Sequence, residues 1–573
     1  MSVGRAAARH RALPSARTAL ELLFVAVIGV VALAPIIAIV VMSFDTSTLT
    51  EPYRAGTAAW RALFSDAANL RALGYTLVLA IRVPIGLFMA LIAVWIIVRL
   101  DAPGARLFEY LFWFAYFLPG LPVLTGWILL LDPDYGLLNR LAVATGLFSE
   151  APFNIYSAGG IIWTHLAGQT VPVMVILIAP AMRMIDRAMD EAAILAGAGA
   201  WRILRRVIVP LMVPALAVAG IAAGVKSFES FETEQILGAP ADIFVYSNRI
   251  YYLLNQMTPR LPEAMAMSAV LVLLLLAASL GYQRYARRRA VPPSLSEGAR
   301  GGVRPAYPAG VRWAGTAALA VYALVAIVLP FAMLIAGSFM RLYGFFDLPA
   351  PWTTAHWQKA LFSIDFRRAA TSTLGLALLC ALPGTLIFAG IAWALAGLRG
   401  WRQSLAATFV WLPWALPGII LGAGLIEVTL SVPALGPLHG TFYPLIYALL
   451  LREMPLGVSM LRASFAQTGR ELVDAARLTG AGGVRILMRI VLPLNMPALM
   501  VVFLLIFTLV LRDISTIVLI APPGVQTLSL LAFKHSLNGD FEAASVIGTV
   551  VALASLAVSA LAFQMARRVG GWR

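Results

Sequence analysis

Residues 191–214 read EAAILAGAGAWRILRRVIVPLMVP, and residues 474–497 read DAARLTGAGGVRILMRIVLPLNMP. At a constant shift of 283 positions, Gly197 falls on Gly480, Gly199 on Gly482, Pro210 on Pro493 and Pro214 on Pro497. The same shift pairs Pro172 with Pro455 and Pro240 with Pro523, with no insertion between the six pairs. Nearer the N-terminus, Pro35, Ser43 and Phe44 pair with Pro330, Ser338 and Phe339, and Leu118-Pro119-Gly120 pairs with Leu416-Pro417-Gly418. Self-similarity over such a distance means one structural unit used twice.

The solvent for that unit follows from composition. Of 573 residues, 61% are apolar and 12% charged, with a mean hydropathy of +0.87. Soluble domains run near 45–50% apolar and about 25% charged. So little polar surface cannot cover a water-soluble body of this size, and the chain is expected to lie in lipid. The single cysteine, Cys380, leaves no intrachain disulfide, zinc cluster or redox pair.

Twelve apolar runs are long enough to cross about 30 Å of hydrocarbon: 20–43, 72–98, 107–131, 156–182, 208–228, 263–282, 313–338, 369–397, 403–430, 440–464, 490–511 and 541–566. The first follows Arg5, Arg9, Arg11 and Arg17 in the manner of a signal peptide, but Pro35 and the apolar residues up to Val41 favour a retained helix. An even number of spans places both termini on one side. Putting that side in the cytoplasm gathers most arginines there, including Arg284, Arg287, Arg288, Arg289, Arg300, Arg304 and Arg312. This is the positive-inside asymmetry. The net charge of +16 is then a topology signal, and nucleic acid drops out as a partner. The expected organisation is a six-helix half over 1–285, a cytoplasmic linker over 286–312 and a second six-helix half over 313–573. Halves of six spans share one orientation, so their pseudo-two-fold axis runs along the membrane normal and a path can form between them.

The repeat is sharpest in a cytoplasmic loop of each half, near 185–210 and 468–493. Glu191-Ala192-Ala193 precedes Gly197, and Asp474-Ala475-Ala476 precedes Gly480. An acid favours a helix N-terminus, alanines give a thin face, glycine permits a sharp turn, and Pro210 or Pro493 is expected to start the next membrane helix. A short, thin, turn-bounded helix in such a loop suits docking into a groove on another protein.

This pattern resembles the EAA loop of permease subunits of type I ABC importers, over roughly residues 70–285 and 365–566. The resemblance implies an all-α polytopic fold in the inner membrane of a bacterium. It also implies a coupling role for Glu191, Ala192, Ala193, Gly197, Asp474, Ala475, Ala476 and Gly480, two copies of a cytoplasmic ABC ATPase, and an extracytoplasmic substrate-binding protein. Asp474 stands where the family usually has Glu, so the two ATPase contacts are expected to be unequal. The chain contains no G-x-x-x-x-G-K-[ST] phosphate loop, so it is read as a non-enzyme that binds no cofactor, with ATP and Mg used by the partner.

Ionisable residues inside spans are functional candidates. Here they are Arg82, Glu427, Arg452-Glu453, Lys226 with Glu229, and Arg512-Asp513. The shift of 283 sets Glu229 opposite Arg512 and Gln169-Thr170 opposite Arg452-Glu453. Translocation-path candidates are Glu229, Glu232, Arg452, Glu453, Arg512 and Asp513. An interhelical structural pair is the alternative for Arg452-Glu453, and a solvated helix end for Glu229, Glu232 and Glu234. Within the family, Ser227-Phe228-Glu229-Ser230-Phe231-Glu232, Gly238-Ala239-Pro240 and Ile243-Phe244-Val245-Tyr246 are similar to the ferric-iron importers, with thiamine, polyamine and phosphonate permeases close by. Carboxylates suit a hard cation and suit polyamines as well. A gradient-driven twelve-helix transporter is the rival class, but Arg99 to Arg106, RLDAPGAR, does not match its usual loop. A membrane-embedded enzyme is the third, set aside because the histidines are scattered.

Overall fold

The computed structural model describes residues 16–47, 53–288, 307–467 and 470–569. The arginines before residue 16 and most of the expected linker fall outside these segments. The described residues are α-helical, without a named strand.

The first half contains α1 (Ala16–Met42), α2 (Ala67–Val98), α3 (Ala105–Phe117), α4 (Gly120–Leu131), α5 (Ala158–Met184), α6 (Ala188–Leu195), α7 (Ala200–Glu229), α8 (Tyr246–Leu254) and α9 (Leu261–Arg288). The second contains α10 (Ala309–Phe339), α11 (Ile364–Gly397), α12 (Gly400–Trp411), α13 (Gly418–Ser431), α14 (Phe442–Gln467), α15 (Arg470–Leu478), α16 (Gly483–Leu494), α17 (Met496–Arg512), α18 (Leu528–Leu537) and α19 (Phe541–Val569). Eight of these helices are long and apolar enough to span a membrane, and three bent pairs could each add a span. With α9, whose described apolar part runs Leu261–Ala277, the order follows the twelve expected runs, six to a half.

Two expected spans are not straight. α3 and α4 meet at 105°, and α12 and α13 at 107°. Each break falls on the repeated Leu-Pro-Gly, where Pro119 and Pro417 are extended at ψ 131° and 141°. A proline cannot donate to the preceding turn and its ring crowds that turn's carbonyl, so the helix stops and restarts. The second half's fifth span is bent as well, by 82° between α16 and α17. There Asn495 Nδ2 donates to the Val491 carbonyl at 2.8 Å, and its Oδ1 accepts from Ser464 Oγ at 2.6 Å. In the first half Met212 and Ala181 occupy those positions and α7 runs through.

Pro210 and Pro493 do not start helices. α7 begins ten residues before Pro210, and a wide π-turn, Leu204–Ile208 or Leu487–Val491, ends two residues before each proline. Similar turns precede Pro172 and Pro330. Widening to i→i+5 bonding accommodates a missing N–H within a continuing helix.

The halves interlock at their first and third spans: α10 packs on α4, and α1 on α13. Gly126 of α4 lies against the Pro330 carbonyl, so that a Cβ would collide with it. Gly424 of α13 lies against the Pro35 carbonyl, where a Cβ would approach to 2.6 Å. The repeated Ser-Phe after the first span is also explained. Trp60 Nε1 donates to Ser43 Oγ at 3.3 Å and its ring stacks on Phe44, while Trp357 does the same with Ser338 at 3.2 Å and with Phe339.

Candidate functional site: two exposed loop helices and a buried ionic belt

The loop helices α6 and α15 end alike. Gly197 has φ +77° and Gly480 φ +80°, a left-handed conformation that costs glycine little. The Gly197 N–H donates to the Ile194 carbonyl and that of Ala198 to Ala193, both at 2.9 Å. Gly480 and Ala481 repeat this on Arg477 and Ala476 at 2.9 and 3.0 Å. A glycine-terminated turn of this kind satisfies the last carbonyls and redirects the chain sharply. Ala192 and Ala475 are exposed, whereas Ala193 and Ala476 are half-buried. No atom lies within 4 Å of where a Cβ on Gly197 or Gly480 would stand.

Three exposed apolar positions recur beside these turns, unnoticed in the sequence because apolar residues are common everywhere in it. Leu195 and Leu478 are 89% and 90% exposed, and Met189 and Leu472 form an equivalent exposed pair, as do Trp201 and Val484. Loop residues exposed at matching positions form a repeated apolar surface suited to a protein partner.

The acids of the two loops differ. Glu191 lies in the first turn of α6 beside Asp190. The Asp190 side chain is fully buried, with Arg99 Nη1 at 3.4 Å, and Arg99 also donates to the Ile185 carbonyl at 2.8 Å. Burial pushes the Asp190 carboxyl above its ordinary value and the Arg99 guanidinium below its own, each opposed by the other's charge. In α15 Val473 replaces Asp190. Asp474 is exposed and pairs with Arg477 at 3.1 Å. The acid of the first turn is Glu471, so Asp474 does not open the helix as expected. The buried Asp190 anchor was missed because nothing in the motif distinguishes it from its neighbour.

The intramembrane charges gather in two clusters. In the first half, Arg82 Nη1 lies 3.1 Å from Glu234 Oε1 and Nη2 donates to the Ser227 carbonyl at 3.0 Å. His165 Nε2 lies 2.9 Å from Glu234 Oε1, and Ser230 Oγ donates to Glu234 Oε2 at 2.5 Å. The second cluster joins the halves. Arg452 forms an ion pair with Glu229, and its Nη1 donates to Asp513 Oδ2 at 2.6 Å and to Ser515 and Thr516 hydroxyls at 3.0 Å. Lys226 Nζ lies 2.5 Å from Glu229 Oε2. Arg512 donates to the Tyr116 carbonyl at 2.7 Å with its guanidinium over that ring. Arg452 lies ten residues along α14, about 15 Å from that helix's first residue at 1.5 Å per residue.

Several expectations are thereby corrected. Glu229 and Glu234 are 8% and 1% exposed, so neither is a solvated helix end. Arg452 makes the interhelical pair, with Glu229 and Asp513, but Glu453 enters none of the ion pairs among the described residues. Glu232 is half-buried beside this cluster. His165 was not singled out, although an intramembrane Arg82 requires a partner and His165 shares its acid. Of the expected path residues, Glu229, Arg452 and Asp513 come together, with Arg512 on the adjoining helix end. Among the described residues no group of three or more His, Cys, Asp or Glu is placed to hold a metal ion. A small cavity of about 30 Å³ lies beside the first cluster, lined by Gly120, Trp127, His165, Gln169, Thr233 and Ile327 among others.

Comparison with known proteins places these features. Residues 386–571 match the family described as binding-protein-dependent transport system inner membrane component. The chain is 29% identical over 340 residues to a probable ABC transporter permease protein, y4fN, of Sinorhizobium fredii, covering 56% of this chain and 57% of that protein. It is 21% identical over 400 residues to the ferric transport system permease protein FbpB of Actinobacillus pleuropneumoniae, covering 68% and 56%. It is 24% identical over 272 residues to a putative 2-aminoethylphosphonate transport system permease protein, PhnV, of Salmonella typhimurium, covering 46% and 97%. The chain thus spans little more than half the length of the first and second of these relatives. The matched region, residues 386–571, carries the second loop helix, and the internal repeat sets a loop helix of the same pattern in the first half.

Proposed function

We propose that the chain is the membrane permease of an ATP-driven importer in the inner membrane of a bacterium, accepting substrate from an extracytoplasmic binding protein and passing it between the two halves. The observation that carries this reading is the repeated loop helix: two glycine-terminated turns with φ near +80°, each beside an exposed leucine and two further apolar side chains. Two docking surfaces of the same pattern call for two partners, which we take to be two copies of an ABC ATPase subunit. Glu191, Ala192, Ala193 and Gly197 contribute to one surface, and Asp474, Ala475, Ala476 and Gly480 to the other. ATP and Mg belong to those partners.

For the substrate we favour ferric iron, handed over by the binding protein. Support comes from the segment Ser227 to Tyr246 and from the ferric relative; the phosphonate relative marks the alternative. With Glu229, Glu234 and Asp513 held by cations, metal selection is assigned to the binding protein and passage to the permease. The test is to isolate the permease with its binding protein and identify the bound ligand by mass and metal analysis. Iron supports the reading. An organic cation or a phosphonate without iron overturns the substrate and leaves the importer intact.

A further inference from the structure

The equivalent ends of the two fifth spans each reach into the opposite half. Glu229, at the end of α7, pairs with Arg452 of α14. Its repeat partner Arg512, at the end of α17, donates to the Tyr116 carbonyl of α3 and covers that ring. Charges at this depth are expensive unless paired, and breaking a buried pair is costly when it strands a charge. The Glu229–Arg452 pair avoids that cost through the other partners of each residue. Glu229 also holds Lys226, three residues back on its own helix, at 2.5 Å. Arg452 also holds Asp513, Ser515 and Thr516 of its own half, at 2.6–3.0 Å. If the halves part, each charge retains a partner on its own side. The Arg249–Asp66 pair, at 2.8 Å, differs in lying wholly within the first half.

We propose that Glu229 and Arg452 form a releasable latch between the halves, closed in this conformation, with Lys226 and Asp513 as the partners that receive the two charges when the path opens. The proposal rests on the importer reading and adds a gating role to residues otherwise regarded as path lining. The closed state is stabilised by the cross-half pair, and the open state by the two pairs within halves. Removing the first favours opening; removing Lys226 leaves Glu229 dependent on Arg452 and favours closure, by more than the loss of the long Lys226 contact over the Trp414 ring of the second half opposes it. A simple staple between the halves predicts no such opposition.

The test uses the full transporter, isolated with its ATPase subunits and reconstituted in lipid, with and without its binding protein. Glu229→Gln is expected to raise ATP hydrolysis in the absence of binding protein by about fivefold or more, the low end of measured allosteric couplings. Lys226→Met, at a side chain 43% exposed, is expected to lower the stimulated rate by a similar factor. Arg249→Gln is the control and leaves basal hydrolysis unchanged. Opposite shifts from the first two variants support the latch. Unchanged basal hydrolysis in inserted Glu229→Gln, or a Lys226→Met rate that rises, overturns it. If Glu229→Gln does not assemble, the direction of the Lys226→Met change decides alone. Binding-protein-dependent hydrolysis absent from the unsubstituted complex would instead count against the importer reading.

Discussion

In the first half, the fourth span carries Gln169 where the second carries Arg452, and His165 where the second carries Ala448. The first fifth span runs straight to Glu229, while the second bends by 82° at Asn495 before reaching Arg512. Yet the Leu-Pro-Gly breaks, the Gly126 and Gly424 contacts, the indole–serine bonds and the glycine turns at 197 and 480 recur in both halves. Backbone devices are kept because each half must build the same crossing and present the same loop. Buried charges are free to diverge because only their sum across the interface must be balanced. The two halves are therefore one scaffold with two electrical roles, the second supplying Arg452 to acids of both.

The largest expected difference separates the loop anchors. Asp190→Ala strands buried Arg99, and loss of one partner of a buried pair costs about 3–5 kcal/mol; the equivalent-loop change Asp474→Ala removes only an exposed pair worth about 0.3–0.5 kcal/mol. Thermal unfolding of the two variants, side by side in detergent, should show a marked loss for the first and almost none for the second. Equal losses would mean that the loops are anchored alike.

A smaller effect tests the crossed packing. Gly126→Leu and Gly424→Leu both insert a side chain against a backbone carbonyl, and overpacking costs about 1–3 kcal/mol. The two should destabilise similarly, since the contacts are equivalent. A large loss for one and none for the other would show that the halves do not interlock symmetrically. Smaller again is Asn495→Met, which gives the second half the residue of the first. It removes two hydrogen bonds worth about 0.5–1.5 kcal/mol each and should lessen the bend, read as a changed distance between spin labels on α16 and α17.

Much of this architecture was legible in the residues. A constant shift defined the halves, and apolar length gave the span order, because lipid demands about 20 apolar residues per crossing. Leu-Pro-Gly was visible as a repeat but not as a 105° break, since a proline in an apolar run equally permits a kinked continuous helix. The π-turns before Pro172, Pro210, Pro330 and Pro493 escaped notice, and Pro35 and Pro455 show why: their helices carry no such turn. Arg452 stood out by its cost in lipid, yet its partners lie 61 and 223 positions away, a distance that only packing resolves. The loop glycines were legible from sequence and structure alike because a left-handed turn admits few other residues.

The proposed docking of both loop helices on ATPase subunits is what transmits their work. Its most direct measurement is ATP hydrolysis and substrate uptake by the Gly197→Arg, Gly480→Arg double variant in proteoliposomes containing the ATPase and binding protein. A bulky cation at two left-handed, solvent-facing positions should leave the permease inserted while abolishing binding-protein-stimulated hydrolysis and uptake together. Each single variant should leave a partial activity. Uptake at the unsubstituted rate by the double variant would rule out docking through these two helices.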